Sequence, residues 1–272
     1  MEYTDLVPSV RIPVLGQGTA GMGSSTSGSG EKEEIAALRA GIDLKMTHID
    51  TAERYSSGRS EELVGEAIKP YHREDIFITT KVGRNHLRYD DVVASMKGSL
   101  DRLGLDYVDL YLVHWPNPNV SLEETMRAME HCADEGYTRF IGVSNFSSSL
   151  LAEAQSYLKE HRLVADQVHY SLLNQEAAGE LLPYCRENNV ILIAYSPIEK
   201  GRLTKPGYSI LDTLAEKYGK TQAQVSLNWL ISQNGVITIP KAAKLEHVKD
   251  NIGAVDWRLS AEDLRRLGES FH

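Results

Sequence analysis

The chain has 272 residues, 42% apolar and 25% charged, ordinary proportions for a globular protein with a large buried core. A formal net charge of −9 argues against a nucleic-acid or anionic-membrane partner, either of which would need a basic face. No run approaches the ~18 consecutive apolar residues that cross a bilayer, and MEYTDLVPSV lacks the basic and apolar regions of a signal peptide, so a cytoplasmic protein with no membrane partner is expected.

Residues 3–13 have the pattern of a hairpin. Short β-rich runs then alternate with amphipathic segments. Strands are expected at 14–18, 47–50, 76–81, 108–114, 139–144, 165–169, 190–195 and 236–240. Their cores (IFITTK, VDLYLV, VILIAY, VITIP) are almost continuously apolar or β-branched rather than alternating, which suits parallel strands covered on both faces.

Helical spacing of apolar residues marks 31–44, 60–69 and 90–103, with Pro70 and Gly104 as stop signals. Ser121-Leu122-Glu123-Glu124 matches a capping box, and a further helix is expected at 221–233. Eight strands alternating with helices predict one α/β domain over the whole chain. Its form is a (β/α)8 TIM barrel with an N-terminal hairpin and extra helices near the C-terminus. The Ser- and Gly-rich stretch 24–30 is expected as a loop between the first strand and first helix.

Gly16-Gln17-Gly18-Thr19-Ala20-Gly21 fits the dinucleotide fingerprint G-x-G-x-x-G and follows a strand. A Rossmann helix would begin at once, yet the helical pattern starts near Glu31, and Asp43 lies within it rather than at a strand end. The glycines are better explained by close backbone approach at the mouth of strand one. Cys132 and Cys185 lie in helical segments without zinc spacing, so free buried thiols and no metal site are expected, although His131 adjoins Cys132.

Polar residues instead gather at the carboxyl ends of strands, the face on which barrels build active sites. Asp50 ends THID and leads to Tyr55; Lys81 ends IFITTK; His114 ends VDLYLV and precedes Trp115. Ser144-Asn145 follow FIGV, Gln167 lies in the sixth strand, and Tyr195-Ser196 end the seventh. Each alone would be an ordinary strand-end residue, but a barrel brings all of them to one rim.

The ordered motifs Asp50-Thr51-Ala52-x-x-Tyr55, Thr80-Lys81-Val82, Leu112-Val113-His114-Trp115-Pro116, Gly142-Val143-Ser144-Asn145-Phe146, Ala194-Tyr195-Ser196-Pro197 and Ile239-Pro240-Lys241 resemble those of the aldo-keto reductase superfamily. The resemblance runs from about Gly16 to Asn251 and is similar to short prokaryotic members associated with methylglyoxal and other reactive aldehydes. It implies NAD(P)H-dependent reduction of aldehydes or ketones. Tyr55 would be the acid/base, Lys81 and Asp50 its tuning pair, and His114 would orient substrate. A lysine ammonium is expected to lower the pKa of a phenol otherwise near ~10.

For the cofactor, the resemblance implies Tyr195 stacked on nicotinamide, with Ser144, Asn145 and Gln167 on its carboxamide. Ser196, Leu203 and the loop between them would cover pyrophosphate. Lys241 would meet a 2′-phosphate, Asp250 and Asn251 would lie near adenine, and Gly18, Thr19, Asp50, Ile239 and Ala242 would complete the set. NADPH is expected, with NADH possible. Family members often carry Ser after the Ile-Pro-Lys lysine and Arg six residues beyond it, where Ala242 and His247 stand here. A neutral histidine cannot clamp phosphate as a guanidinium does, so the NADPH preference should be moderate and weaken as the imidazole loses its proton. Met22, Tyr55, Trp115 and the segment 83–89 are the expected walls of an open pocket for a small carbonyl substrate. A monomer or weak homo-oligomer is expected. Alternatives are a sugar or polyol dehydrogenase running in reverse, a channel β-subunit-like regulatory protein, and a barrel glycosidase using Asp50 and Glu53. The last leaves Lys81 and Tyr195 unexplained.

Overall fold

The computed structural model describes residues 1–24 and 28–271. The chain opens with an antiparallel hairpin, β1 (Tyr3–Val7) and β2 (Val10–Pro13), as residues 3–13 lead one to expect. Eight parallel strands follow: β3 (Gln17–Gly18), β4 (His48–Asp50), β5 (Phe77–Val82), β6 (Val108–Val113), β7 (Thr138–Ser144), β8 (Leu163–His169), β9 (Ile191–Tyr195) and β10 (Val236–Thr238). Each pairs with its neighbours in chain order from β3 to β10.

Backbone contacts join the first strand to the last. Gly16 donates to the Thr238 carbonyl at 2.8 Å, Thr238 to that of Val14 at 3.0 Å, and Gly18 to that of Pro240 at 3.2 Å. These contacts close the (β/α)8 barrel. A Cβ at position 18 would stand 2.6 Å from the Ile239 carbonyl oxygen, so this seam needs glycine. The glycine-rich run is therefore a barrel seam and not a Rossmann turn.

Helices alternate with the strands. They are α1 (Gly28–Asp43), α2 (Arg59–Ile68), α3 (Tyr89–Leu103), α4 (Leu122–Asp134), α5 (Ser148–Ser156), then α6 (Glu176–Gly179) with α7 (Leu181–Glu187), α8 (Ser209–Tyr218) with α9 (Gln222–Ile231), and α10 (Leu245–Ile252) with α11 (Ala261–Glu269). Gly104 ends α3 at φ 67°, the Ser121 hydroxyl caps α4 through the Glu124 amide, and Thr221 with Gln224 forms a capping box on α9. Of the expected 24–30 loop, residues 25–27 lie outside the described residues, and α1 already begins at Gly28. The first turn of α1 thus contains a Ser-Gly segment of poor helix propensity that the apolar pattern alone would leave outside.

Every residue of β6 is buried. Leu110 and Leu112 join the cluster inside the barrel, while Tyr111 and Val113 join the cluster under the helices. This two-sided burial is why the strands read as continuous apolar runs. It also sends Lys81 inward, fully buried, while Thr80 faces out and donates to the carboxylate of buried Glu61. Cys132 and Cys185 are free and buried, and burial pushes each thiol up to about 12. No cluster of metal-ligating side chains occurs among the described residues, nor does any helix long and apolar enough to cross a membrane.

Candidate active site

Four of the predicted groups meet at the carboxyl rim. Lys81, rising from inside β5, donates to Asp50 at 2.7 Å, to the Thr51 carbonyl at 2.8 Å and to the Tyr55 hydroxyl at 3.3 Å. Asp50 ends β4, and Tyr55 starts the short 3-10 turn after it. The His114 ring, just past β6, stands edge-on to Tyr55 with centroids 5.5 Å apart. Nothing in the local sequence brings these residues together; the strand register of the barrel does.

Their electrostatics follow from burial. Burial works against the Lys81 charge, but Asp50 and Tyr55 outweigh it and hold the ammonium above its ordinary value. Burial raises Asp50, with Lys81 and Gln167 opposing. Tyr55 is also raised by burial, more than the Lys81 charge lowers it. The expected net lowering of the phenol is therefore not found: desolvation of a buried phenolate exceeds the attraction of one neighbouring ammonium that Asp50 already partly neutralises. His114 is pushed down to about 3 by burial and then by the charges of Lys81 and Arg54, so its imidazole is neutral. Its Nδ1 has no hydrogen-bond partner among the described residues.

A hydrogen-bond chain leads from this cluster into a cleft of about 970 Å3. Gln167 donates to Asp50 at 2.7 Å, Ser144 to the Gln167 carbonyl at 2.7 Å, and Asn145 to the Ser144 hydroxyl at 2.9 Å. Asn145, at φ 63°, also donates to the His114 carbonyl at 3.0 Å and accepts the Tyr195 hydroxyl at 2.9 Å. Tyr195 and Ser196 line the cleft with Lys241, His247, Asp250 and Asn251 farther along it. Asn251 is 3% exposed, and its Nδ2 has no partner among the described residues. An unsatisfied buried amide on a cleft wall fits a ligand that supplies an acceptor there.

Gly18, Asp50, Tyr55, His114, Trp115 and Ile239 line the cleft as expected, and Trp115 is strongly exposed. Met22 does not. It is 1% exposed in the core, and its carbonyl accepts the Ser56 and Ser60 hydroxyls. Leu203 is also fully buried, leaving Lys200, Gly201 and Thr204 of the same loop as lining residues. Thr19 is buried with its hydroxyl on the Asp50 carbonyl, and Ala242 packs inward while Ala243 faces the cleft. Segment 83–89 stands aside: Gly83 donates to Glu53 at 2.5 Å, and the Arg84 carbonyl accepts from Asn117 at 3.0 Å. Ala20 and Ala223 line the cleft without having been singled out, because small apolar residues leave no chemical signature in sequence.

A closed parallel barrel carrying a polar cluster on its carboxyl rim places the chain among the barrel enzymes. A model of the aldo/keto reductase family matches residues 14–270, and the chain belongs to that family of oxidoreductases. It is 37% identical over 265 residues to the methylglyoxal reductase YeaE of Escherichia coli, covering 96% of this chain and 92% of that one. It is also 37% identical over 237 residues to a glyoxal reductase of Bacillus subtilis, covering 86% and 82% respectively. Among solved structures, the thermostable aldo-keto reductase Tm1743 with the inhibitor epalrestat matches with a TM-score of 0.94 at 42% identity, over 99% of this chain and 100% of that one. An aldo/keto reductase from Klebsiella pneumoniae in complex with NADP and acetate matches with a TM-score of 0.88 at 37% identity, over 96% and 92%.

Proposed function

We propose that this protein reduces small reactive aldehydes of the methylglyoxal type to alcohols with NADPH, using Tyr55 as the proton donor. The observation that carries this reading is the placement of the Lys81 ammonium, 2.7 Å from Asp50 and 3.3 Å from the Tyr55 hydroxyl, on the rim that also holds a neutral His114. The similarity to methylglyoxal and glyoxal reductases supports the substrate class, and the NADP complex of the Klebsiella protein supports the cofactor.

The reduced nicotinamide, when bound, supplies the hydride. Tyr195 would stack on its ring, Ser144, Asn145 and Gln167 would hold its carboxamide, and Ser196 with Lys200 would face pyrophosphate. Lys241 and His247 would meet a 2′-phosphate, and Asp250 with the unsatisfied amide of Asn251 would meet adenine. Reduction places negative charge on the substrate oxygen, which needs a proton and electrostatic support. Burial keeps the Tyr55 phenol protonated, the form a donor requires. Lys81 lies close enough to stabilise the phenolate left behind, and Asp50 keeps the lysine charged. A neutral His114 can donate an N–H to the same oxygen without competing for the proton. Exposed Trp115 leaves the mouth open, consistent with small and varied aldehydes.

The test is NADPH consumption by the purified protein with methylglyoxal, glyoxal, aldoses, ketones and, with NADP+, polyols. The highest kcat/KM is expected for the dicarbonyl aldehydes. Polyol oxidation faster than every reduction would reverse the assignment.

A further inference from the structure

His169 and Glu199 form a cluster that the chemistry above does not use. His169 ends β8 directly opposite Tyr195, its register partner on β9. The imidazole lies flat against the Tyr195 ring, with centroids 5.5 Å apart and planes 12° from parallel. One face of the tyrosine is therefore occupied. Asn174 donates to His169 Nδ1 at 3.1 Å, which leaves the proton on Nε2, and Nε2 donates to Glu199 at 2.6 Å. The same carboxylate oxygen accepts the Ser171 hydroxyl at 2.6 Å.

Glu199 belongs to the loop after β9, whose backbone is unusual. Ser196, Glu199 and Lys200 have φ of 52°, 50° and 52°, a region that residues with a Cβ seldom occupy and that persists only where neighbours hold it. Lys200, Gly201 and Thr204 of this loop line the cleft. The Glu199 side chain turns away from them and ties the loop back to β8.

We infer that His169 and Glu199 are a positioning pair for the nicotinamide cofactor: His169 backs the ring of Tyr195, and Glu199 fixes the pyrophosphate-facing loop to that same imidazole. The pair couples the nicotinamide platform to the pyrophosphate-facing loop, so that loop conformation and ring platform are set together. This inference rests on the assignment of the cleft to NADPH.

The test is NADPH titration of the whole protein by tryptophan quenching, together with steady-state kinetics, for His169→Ala, Glu199→Ala, Glu199→Gln and the double alanine variant. His169→Ala and Glu199→Ala should each weaken NADPH binding about tenfold while the KM for aldehyde stays within about twofold. The double variant should be no weaker than either single one, because the two side chains act as one unit. Glu199→Gln, whose amide oxygen can still accept from Ser171 and His169, should recover most of the loss, which excludes general misfolding as the cause. Wild-type-like NADPH affinity in both alanine variants, or strictly additive losses, overturns the positioning role alone. Failure of the wild-type protein to bind NADPH overturns the functional reading and the positioning role with it.

Discussion

The Gln167 amide donates to Asp50 at 2.7 Å across the barrel, joining residues 117 positions apart. Asp50 thereby satisfies a buried ammonium on one side and anchors the proposed carboxamide-binding chain on the other. In the proposed mechanism, chemistry and cofactor placement share a single carboxylate.

Asp50→Asn should therefore be costly in stability as well as in activity. It leaves the fully buried Lys81 charge without its partner, and breaking such a pair costs about 3–5 kcal/mol. Urea denaturation of wild type and variant measures it; a loss below about 1 kcal/mol would show that the pair contributes little.

Tyr55→Phe removes the hydroxyl next to Lys81 while keeping the ring beside His114. The rate should fall on the order of 10³-fold, within the span of general acid catalysis, with NADPH affinity nearly unchanged. Single-turnover reduction and cofactor titration separate the two effects. Near-wild-type turnover would remove Tyr55 as donor.

His247 lies in the first turn of α10, exposed, with Glu246 3.7 Å away. That acidic neighbour competes with any phosphate for the imidazole. His247→Arg should raise the ratio of kcat/KM for NADPH over NADH by about tenfold, since a guanidinium offers two parallel donors and a permanent charge. An unchanged ratio would show that position 247 does not meet the 2′-phosphate.

Stability should peak near neutral pH, with two buried histidines and one buried aspartate setting opposite slopes. His48 and His114 are both held down to about 3, His48 by burial and Lys81, so the native state stays unprotonated where the unfolded chain takes up protons. Their contribution is present above pH ~6.5 and is lost as pH falls toward 3, by about 1.4 kcal/mol per unit for each. Asp166 runs the other way. It is buried in β8, and burial lifts it to about 8 despite the nearby Phe146 amide. Its native proton stabilises below pH ~4, and that contribution is lost as pH rises through 8. Asp166→Asn should thus gain on wild type steadily between pH 5 and 8 in thermal melts; a constant difference across that range would refute the protonated carboxyl.

Much of this arrangement could be read from the chain. The eight strands were legible because burial on both faces demands uninterrupted apolar and β-branched runs, as in Val108–Val113. Asp50, Lys81, His114 and Tyr195 were legible because each charged or polar group closes such a run, where a barrel gathers its active site. Met22 misled because an apolar residue beside a loop carries no sign of which way it turns, and α1 began early because packing overrides weak propensity at a helix start.

Sequence by itself determined the fold and the residues at the rim, since these depend on periodicity and on residue type at strand ends, while the ordered motifs carried the family resemblance. Tertiary structure alone decided the rest. Whether Tyr55 is lifted or lowered depends on burial weighed against one ammonium, and the meeting of Gln167 with Asp50 depends on barrel closure. The stack of His169 on Tyr195 depends on strand register. Such terms act through space over a few ångströms between groups far apart in the chain, so no local pattern of residues records them.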